Sequence, residues 1–177
     1  MSAPVVIVEY DPEWPVLYDA EKHRILRAVG DRVGAVEHIG STSVSGLCGK
    51  PIIDIMVAVA GPEEADALLP ALDAIGYDDV TKIEGDAEWF YCLGRGRRSL
   101  YYHLHLVRAG SDHWRRHILF RDYLKKHPET ADEYCRLKKS LAMRYRTERE
   151  RYTESKTLFI VDVVAKALDS ERNRAGR

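Results

Sequence analysis

Residues 51–60, PIIDIMVAVA, form an almost unbroken apolar run that contains a single aspartate, Asp54. A run rich in valine and isoleucine and bounded by proline and glycine is typical of a buried strand. Because alternate residues of a strand share a face, Asp54 lies on the same side as Ile52 and Met56. A carboxylate in this position must be paired, bind a metal ion, or face a cleft at the edge or end of a sheet.

The rest of the chain alternates strand-like and helix-like patterns before a helical C-terminal third, which predicts an α+β fold. Two of the strands flank a turn rich in glycine and arginine, so we expect them to pair as an antiparallel hairpin. Within the second helix, Pro70 should cause a kink or a split. The predicted strands cover 5–10, 33–40, 51–60, 88–93 and 100–107, and the predicted helices cover 11–30, 61–76, 111–127, 128–145 and 153–168.

The length of 177 residues suits a single domain. We divide it into a sheet-bearing core at 1–110 and C-terminal helices at 111–170. The last helix is apolar on most sides, so we expect it to be largely buried. The polar tail at 171–177 has nothing to pack against and should fray.

The charge of the chain argues against several classes of partner. A formal net charge of -1 creates no field that would attract nucleic acid, so nucleic acid is not expected as the main ligand. The N-terminus lacks the basic and apolar regions of a signal peptide, and no run of about 18 uncharged apolar residues occurs. We therefore expect no membrane association and take the cytoplasm as the location. The oligomeric state stays open.

The three cysteines are Cys48, Cys92 and Cys135. They are odd in number, far apart, and lack a C-x-x-C spacing. This pattern predicts reduced core thiols of an intracellular protein without structural zinc.

The segment before the central strand, EHIGSTSVSGLCGK at 37–50, has the composition of a phosphate-binding loop. Gly40 lets the backbone approach a ligand closely, the neighbouring hydroxyls can donate hydrogen bonds, and Lys50 adds a positive charge. The segment is not a Walker loop, because proline follows the lysine and no helix comes next. The alternative is an ordinary serine- and glycine-rich connector between two strands.

His103 and His105 are two residues apart in the strand at 100–107 and therefore share a face. If the hairpin pairs beside the strand that holds Asp54, one carboxylate and two imidazoles converge. Such a ligand set suits zinc, manganese or iron, whereas magnesium prefers carboxylate and water oxygens. The alternative is that both histidines are hydrogen-bonded structural residues, since H-x-H is a weak motif by itself.

Arg97 and Arg98 lie in the hairpin turn shortly before these histidines, where they can offset the negative charge of a phosphate. Asp86 and Glu88, at the entry to the hairpin, can supply a further carboxylate. A second basic cluster lies in the helix at 111–127. Charged runs on turns and helices are most often solvated surface, which is the alternative for all of these residues.

Four segments together resemble the GrpB family over nearly the whole chain: HIGSTSVSGLCGKPIIDIMV, HLHLV, HWRRHILFRDYLKKHPETADEYCRLKKSLA and YTESKTLFI. The family pattern H-x-G-S-T-S-V-P-G-L-x-x-K-P-x-I-D-I matches the chain from His38 to Ile55. Ser45 stands where proline is usual. This departure loosens one turn of the loop and leaves the chemical groups in place.

The resemblance implies a nucleotidyltransferase-like mixed sheet with packed helices, similar to a domain at the C-terminus of some bacterial dephospho-CoA kinases. In that superfamily a Gly-Ser pair contacts nucleotide phosphates, and an Asp-x-Asp/Glu pair holds magnesium ions. The Gly-Ser pair corresponds to Gly40 and Ser41, and the first aspartate corresponds to Asp54. The second carboxylate position falls on Met56, which cannot bind a hard cation.

Three functions stay open. The first is a metal-dependent nucleotidyl- or phosphoryltransferase with Asp54, Arg97 and Arg98 in catalysis. The second is a binding or adaptor module that keeps the fold without transfer chemistry, because one aspartate does not suffice for a two-metal mechanism. The third is a mononuclear metal hydrolase built on the H-x-H pair.

The first two functions imply a nucleotide or another phosphorylated small molecule as the ligand. The residues predicted to bind its phosphates are His38, Gly40, Ser41, Thr42, Ser43 and Lys50. A divalent ion, magnesium or manganese with zinc as the alternative, would be held by Asp54, His103 and His105.

Overall fold

A computed structural model describes residues 4–84, 89–96 and 100–175 of the chain. The elements, in chain order, are α1 (Trp14–Val29), β1 (Val36–Ile39), β2 (Ile52–Val59), α2 (Pro62–Asp73), β3 (Asp79–Glu84), β4 (Trp89–Arg95), β5 (Tyr101–Arg108), α3 (Asp112–Lys126), α4 (Pro128–Arg144), α5 (Arg149–Glu154) and α6 (Thr157–Ala175). Within the described ranges, no helix is both long enough and apolar enough to cross a membrane.

The strands form one mixed sheet in the order β1-β2-β5-β4-β3. β1 runs antiparallel to β2, β2 runs parallel to β5, and β4 is antiparallel to both of its neighbours. The parallel pair places Asp54 opposite His103 and Met56 opposite His105. A mixed sheet with packed helices confirms the predicted α+β class, and the β4–β5 pair is the expected hairpin.

Different helices cover the two faces of the sheet. Ile53, Ile55 and Val57 are fully buried in a core that α1 and α2 complete. Met56 faces the other side and packs with Val107 beneath α3. The alternation predicted for β2 is therefore confirmed. Towards the start of β2, this second face opens into a cleft.

The strand predictions fail in two places. The segment at 5–10 forms no strand and pairs through a bridge between Val8 and Gly49. β3 has no clear signal in the sequence, because it is an edge strand of mostly polar residues.

In α2 the expected split does not occur, and the helix continues through Pro70.

The C-terminal helices also differ from the prediction. The last predicted helix divides into α5 and α6, and α6 continues to Ala175 through residues expected to fray. Nor is α6 enclosed as expected, since Leu158 is 84% exposed and Val161 is 59% exposed. Apolar composition predicted the helix but not which of its faces would be covered.

The cysteine prediction is wrong for two of the three residues. Cys48 and Cys135 form a disulfide that joins the loop before β2 to α4, with Cα atoms 5.5 Å apart. Cys92, in β4, is a free thiol. Cys48 and Cys135 are 87 residues apart, so the sequence gives no hint that they pair. Only the packing of α4 against the loop brings the two sulfur atoms within bonding range.

We expect the disulfide to stabilise the fold, because it constrains a long loop in the unfolded chain. Reduction, or Cys135→Ser, should lower the free energy of unfolding by about 3 to 5 kcal/mol. Denaturant unfolding with and without dithiothreitol measures this loss, and Cys92→Ser is a control that should leave the effect of dithiothreitol unchanged. Titration of the unfolded, unreduced protein should find one reactive thiol; finding all three thiols reactive would contradict the pairing.

Candidate functional site

A cleft of about 770 Å³ opens where the loop after β1 meets the starts of β2 and β5. Its floor carries Asp54, His103 and His105, and one wall carries Ser41 and Lys50. Residues of α3, α4 and α6 close the other sides. The fold therefore brings part of the predicted phosphate loop and the predicted metal residues to one place.

Gly40 allows the loop to pass directly over the Asp54 carboxylate. Its φ is 71°, in the left-handed region that favours glycine. A Cβ atom there would lie 2.9 Å from Asp54 Cγ and would overlap Oδ2. The chain then enters a single 3-10 turn at Ser41–Ser43, which turns the Ser41 side chain into the cleft.

Three of the predicted phosphate ligands form hydrogen bonds within this loop or from the loop to the sheet. Thr42 Oγ1 donates to the Ile52 carbonyl at 3.1 Å and accepts from His38 Nε2 at 3.0 Å. Ser43 Oγ donates to the Gly40 carbonyl at 2.6 Å. Thr42 is only 1% exposed, and burial lowers the pKa of His38 to about 4. In the structure, His38, Thr42 and Ser43 form hydrogen bonds that position the loop, while Gly40, Ser41 and Lys50 line the cleft; phosphate binding by all six stays a prediction.

Lys138, from α4, is a cleft residue that the sequence patterns did not single out. The Lys138 side chain is buried, with 2% of its surface exposed. Its ammonium group donates hydrogen bonds to Ser41 Oγ at 2.8 Å and to the Cys48 carbonyl. Burial, with the nearby charge of Lys156, lowers the pKa of Lys138 to about 7. The hydrogen bond leaves the Ser41 hydroxyl proton able to point towards a ligand.

Lys50 and Lys156 approach the ring of Tyr152, with Nζ atoms 4.8 and 4.5 Å from the ring centroid. Burial, followed by the charges of Lys156 and Arg149, lowers the pKa of Lys50 to about 8. The pKa of Lys156 is also lowered by burial. Across the part of the chain that the structure describes, neither these two lysines nor Lys138 forms an ion pair with a carboxylate.

Asp54 accepts a hydrogen bond from His103 Nδ1 at 3.2 Å across the parallel strand pair. Burial opposes ionisation of the carboxyl group, but the hydrogen bond and the charge of His103 outweigh it and lower the pKa of Asp54. The carboxylate is therefore ionised at neutral pH. Burial also lowers the pKa of His105 to about 4, so this imidazole is neutral.

His117 of α3 also lines the cleft. In the sequence it belongs to the basic cluster of the helix predicted at 111–127. Its ring centroid is 6.0 Å from that of His105 and 4.3 Å from that of His113. His105 Nδ1 is buried and has no hydrogen-bond partner among the described residues. In the same ranges no three His, Cys, Asp or Glu side chains are arranged to hold a metal ion. The expected set of Asp54, His103 and His105 is thus adjacent but does not form such a group.

Met56 packs in an apolar cluster, although its neighbours across the two strand pairs are Glu37 and His105. It is fully buried and packs with Ile39 and Val107, while Phe90 and Trp114 contact the same cluster. A carboxylate at this position would need its own partners to offset the cost of burial. The position at which the family resemblance implies a second acid is therefore part of the core in this chain.

Four candidates from the hairpin cannot be placed. Asp86 and Glu88, and the predicted catalytic residues Arg97 and Arg98, lie outside the described residues. The neighbouring Arg95 is described, and it pairs with the buried Glu21 at 2.9 Å. This pairing belongs to the face of the sheet covered by α1.

A sequence signal for Lys138 does exist. In α4 the buried residues Thr130, Ala131, Tyr134, Lys138 and Leu141 follow helical spacing. A lysine in an otherwise buried stripe must bring its charge to a partner or a cleft. Helical spacing could therefore have marked Lys138, although it could not have shown that Ser41 lies beside it.

The sheet order, the loop after β1 and the aspartate at the start of β2 define a nucleotidyltransferase-like fold. A solved structure of Cid1, described as having RNA terminal uridylyl transferase activity, aligns with a TM-score of 0.53 and 18% identity. The alignment covers 78% of this chain and 44% of that one. At this identity the likeness concerns the fold alone.

Within this class, the chain belongs to the GrpB family, whose model, GrpB protein, matches residues 4–166. The crystal structure of the conserved protein GrpB from Enterococcus faecalis aligns with a TM-score of 0.81 and 30% identity, covering 94% of this chain and 99% of that one. A UPF0157 protein of Halalkalibacterium halodurans is 33% identical over 94% of this chain and 84% of its own length.

A dephospho-CoA kinase of Mycobacterium bovis is 30% identical over 93% of this chain. The match covers 46% of the kinase, so this chain corresponds to less than half of that protein. The resemblance to GrpB proteins and to dephospho-CoA kinases that contain a similar domain is therefore confirmed.

Gly40→Ala should destabilise the protein more than Gly46→Ala, because both glycines have positive φ but only Gly40 lies against Asp54. The backbone strain should cost about 1 to 2 kcal/mol at either position. The overlap with Asp54 should add about 1 to 3 kcal/mol at Gly40, whereas a Cβ at Gly46 meets no atom within 4 Å. Chemical denaturation measures both losses. Equal losses would show that the loop does not lie against Asp54.

Proposed function

We propose that the cleft binds the phosphate groups of a nucleotide or of another phosphorylated small molecule. The observation that carries the proposal is that the Ser41 hydroxyl, which is hydrogen-bonded to Lys138, lines the same cleft as Lys50 and Lys156. Ammonium groups make strong charge-assisted hydrogen bonds to phosphate oxygens, and lysine binds phosphate as a point charge. The hydroxyl can add a further donor.

The charge balance of the cleft supports an anionic ligand. Asp54 is the one carboxylate among the described residues that line it, and it faces several basic groups. Buried charges without partners are costly, which is why structural lysines in protein cores are normally paired. A bound phosphate would supply the negative charge that the three lysines lack within the described residues.

A divalent metal ion would fit this site as part of a metal–phosphate complex. Magnesium and manganese at such sites are commonly held by one or two carboxylates together with phosphate oxygens and water. Asp54 would supply a carboxylate oxygen, and Gly40 lets the loop backbone lie close against that carboxylate. His103 would orient the carboxylate through its hydrogen bond. The bound ion would neutralise phosphate charge during transfer.

The first function that would use this ligand is transfer of a nucleotidyl or phosphoryl group to a small-molecule acceptor. The alternative is a module that binds the ligand without transferring any group. Met56 favours the alternative, because an apolar core occupies the position of the second acidic ligand. The kinase relative supports it as well, since a domain joined to another enzyme need not itself be catalytic.

Lys138→Met should weaken the binding of ATP or tripolyphosphate by about 10- to 100-fold, because it removes a charge-assisted hydrogen bond. Isothermal titration calorimetry measures the affinity, and circular dichroism verifies that the variant folds. Lys139→Met is the matched control. Lys139 is the next residue of α4, is exposed, and pairs with Glu9 at 2.5 Å, so its loss should not change the affinity. Unchanged binding by Lys138→Met would contradict the proposal.

Asp54→Asn should separate the two functions. Manganese should strengthen tripolyphosphate binding to the unmodified protein and have little effect on the variant, whose lysines still bind the anion. A transferase should show turnover of a nucleoside triphosphate that falls by at least about 100-fold in the variant. A binding module should show no turnover in either protein. The absence of any manganese effect on the unmodified protein would exclude Asp54 as a metal ligand.

A further inference from the structure

The cleft has a second, apolar half between α3 and α6. Its lining there consists of Phe120 from α3 and of Ile160, Val161, Val164, Ala165 and Leu168 from α6. The spacing of the five α6 residues places them along one side of the helix. One face of α6 is therefore an aliphatic wall of the same cleft whose other end carries the lysines.

Part of this wall is left uncovered by the fold. Val161 is 59% exposed, whereas Val164, about one turn further along the same side of α6, is buried. Apolar surface of this kind is favourable to cover, at roughly 25 cal/mol per Å² removed from water. A cleft that is aliphatic at one end and cationic at the other is complementary to a molecule with the same asymmetry.

On its α6 side this half offers few polar groups to read a nucleobase, although Arg116 and His117 of α3 also line the cleft. Bases are recognised by hydrogen bonds to their edges and by stacking on aromatic side chains. Within α6, Thr157 is the one polar side chain among the described residues that line the cleft. The α6 wall itself is aliphatic, so it suits a hydrocarbon better than a base, and the rings that line the cleft lie on other elements.

We infer that the natural ligand is an amphipathic phosphate ester, with its phosphate at Ser41 and Lys138 and an alkyl or acyl body along α6. The inference rests on the proposed phosphate-binding function and adds the class of the organic group. The cavity of about 770 Å³ is within the range of sites for small organic ligands. Phe120 of α3 also lines the cleft, belongs to the same apolar cluster as Val164 of α6, and would pack against the body of the ligand.

The test compares methyl, butyl and hexyl phosphate as ligands in calorimetry at concentrations that do not form micelles. Affinity should rise with chain length, by up to about fourfold for each methylene buried. Val161→Asn should lower the affinity for hexyl phosphate by about fivefold or more and leave that for methyl phosphate unchanged. Leu158→Asn is the matched control, because Leu158 lies on α6 and is exposed but does not line the cleft. It should change neither affinity.

The outcomes separate this inference from the proposed function. If tripolyphosphate or ATP binds but hexyl phosphate binds no better than methyl phosphate, the inference fails and the proposed function stands. If tripolyphosphate, ATP and the alkyl phosphates all fail to bind, the proposed function fails with it. If sedimentation shows a dimer that Val161→Asn dissociates, the wall is an interface with a second copy, and the inference is wrong.

Discussion

The parallel pairing of β2 with β5 is the constraint on which the rest of this structure depends. It extends over the full length of both strands and places Asp54 beside His103. A parallel pair needs a long connection between its strands, and here α2, β3 and β4 provide it. The hairpin then extends the sheet, and the chain that leaves β5 forms α3, which covers the opposite face from α1 and α2. Both faces of the central pair are thus enclosed, except where the cleft opens.

The polar end of the cleft is a junction between the two halves of the chain. The disulfide joins the loop before β2 to α4, and Lys138 reaches from α4 to the Ser41 hydroxyl, 97 residues earlier in the sequence. These contacts hold the loop against the helix, so the site is built by the sheet and the C-terminal helices together. Removing either half would remove part of the site.

Two neighbouring positions on one face of β2 have different environments. Asp54 keeps a hydrogen-bonded, ionised carboxylate at the edge of the cleft, whereas Met56, two residues along the same face, is part of an apolar core. The cleft therefore has lysines at one end and an aliphatic wall along α6. Among the described residues that line it, Asp54 is the one carboxylate. This combination is the basis of the proposed binding of an amphipathic anion, and it provides fewer acidic ligands than a two-metal transfer mechanism requires.

The sequence by itself determined the strand alternation around Asp54, the shared face of His103 and His105, the helix starts at Ser111 and Pro128, and the family motif that specified the fold. These features arise from local periodicity, capping and motif residues within a few positions of one another. Only the tertiary structure decided that Cys48 bonds to Cys135, that Lys138 lies beside Ser41, that Thr42 is buried, and that one face of α6 stays open. These depend on how surfaces of distant segments pack, and a linear pattern contains no information on which apolar face meets which.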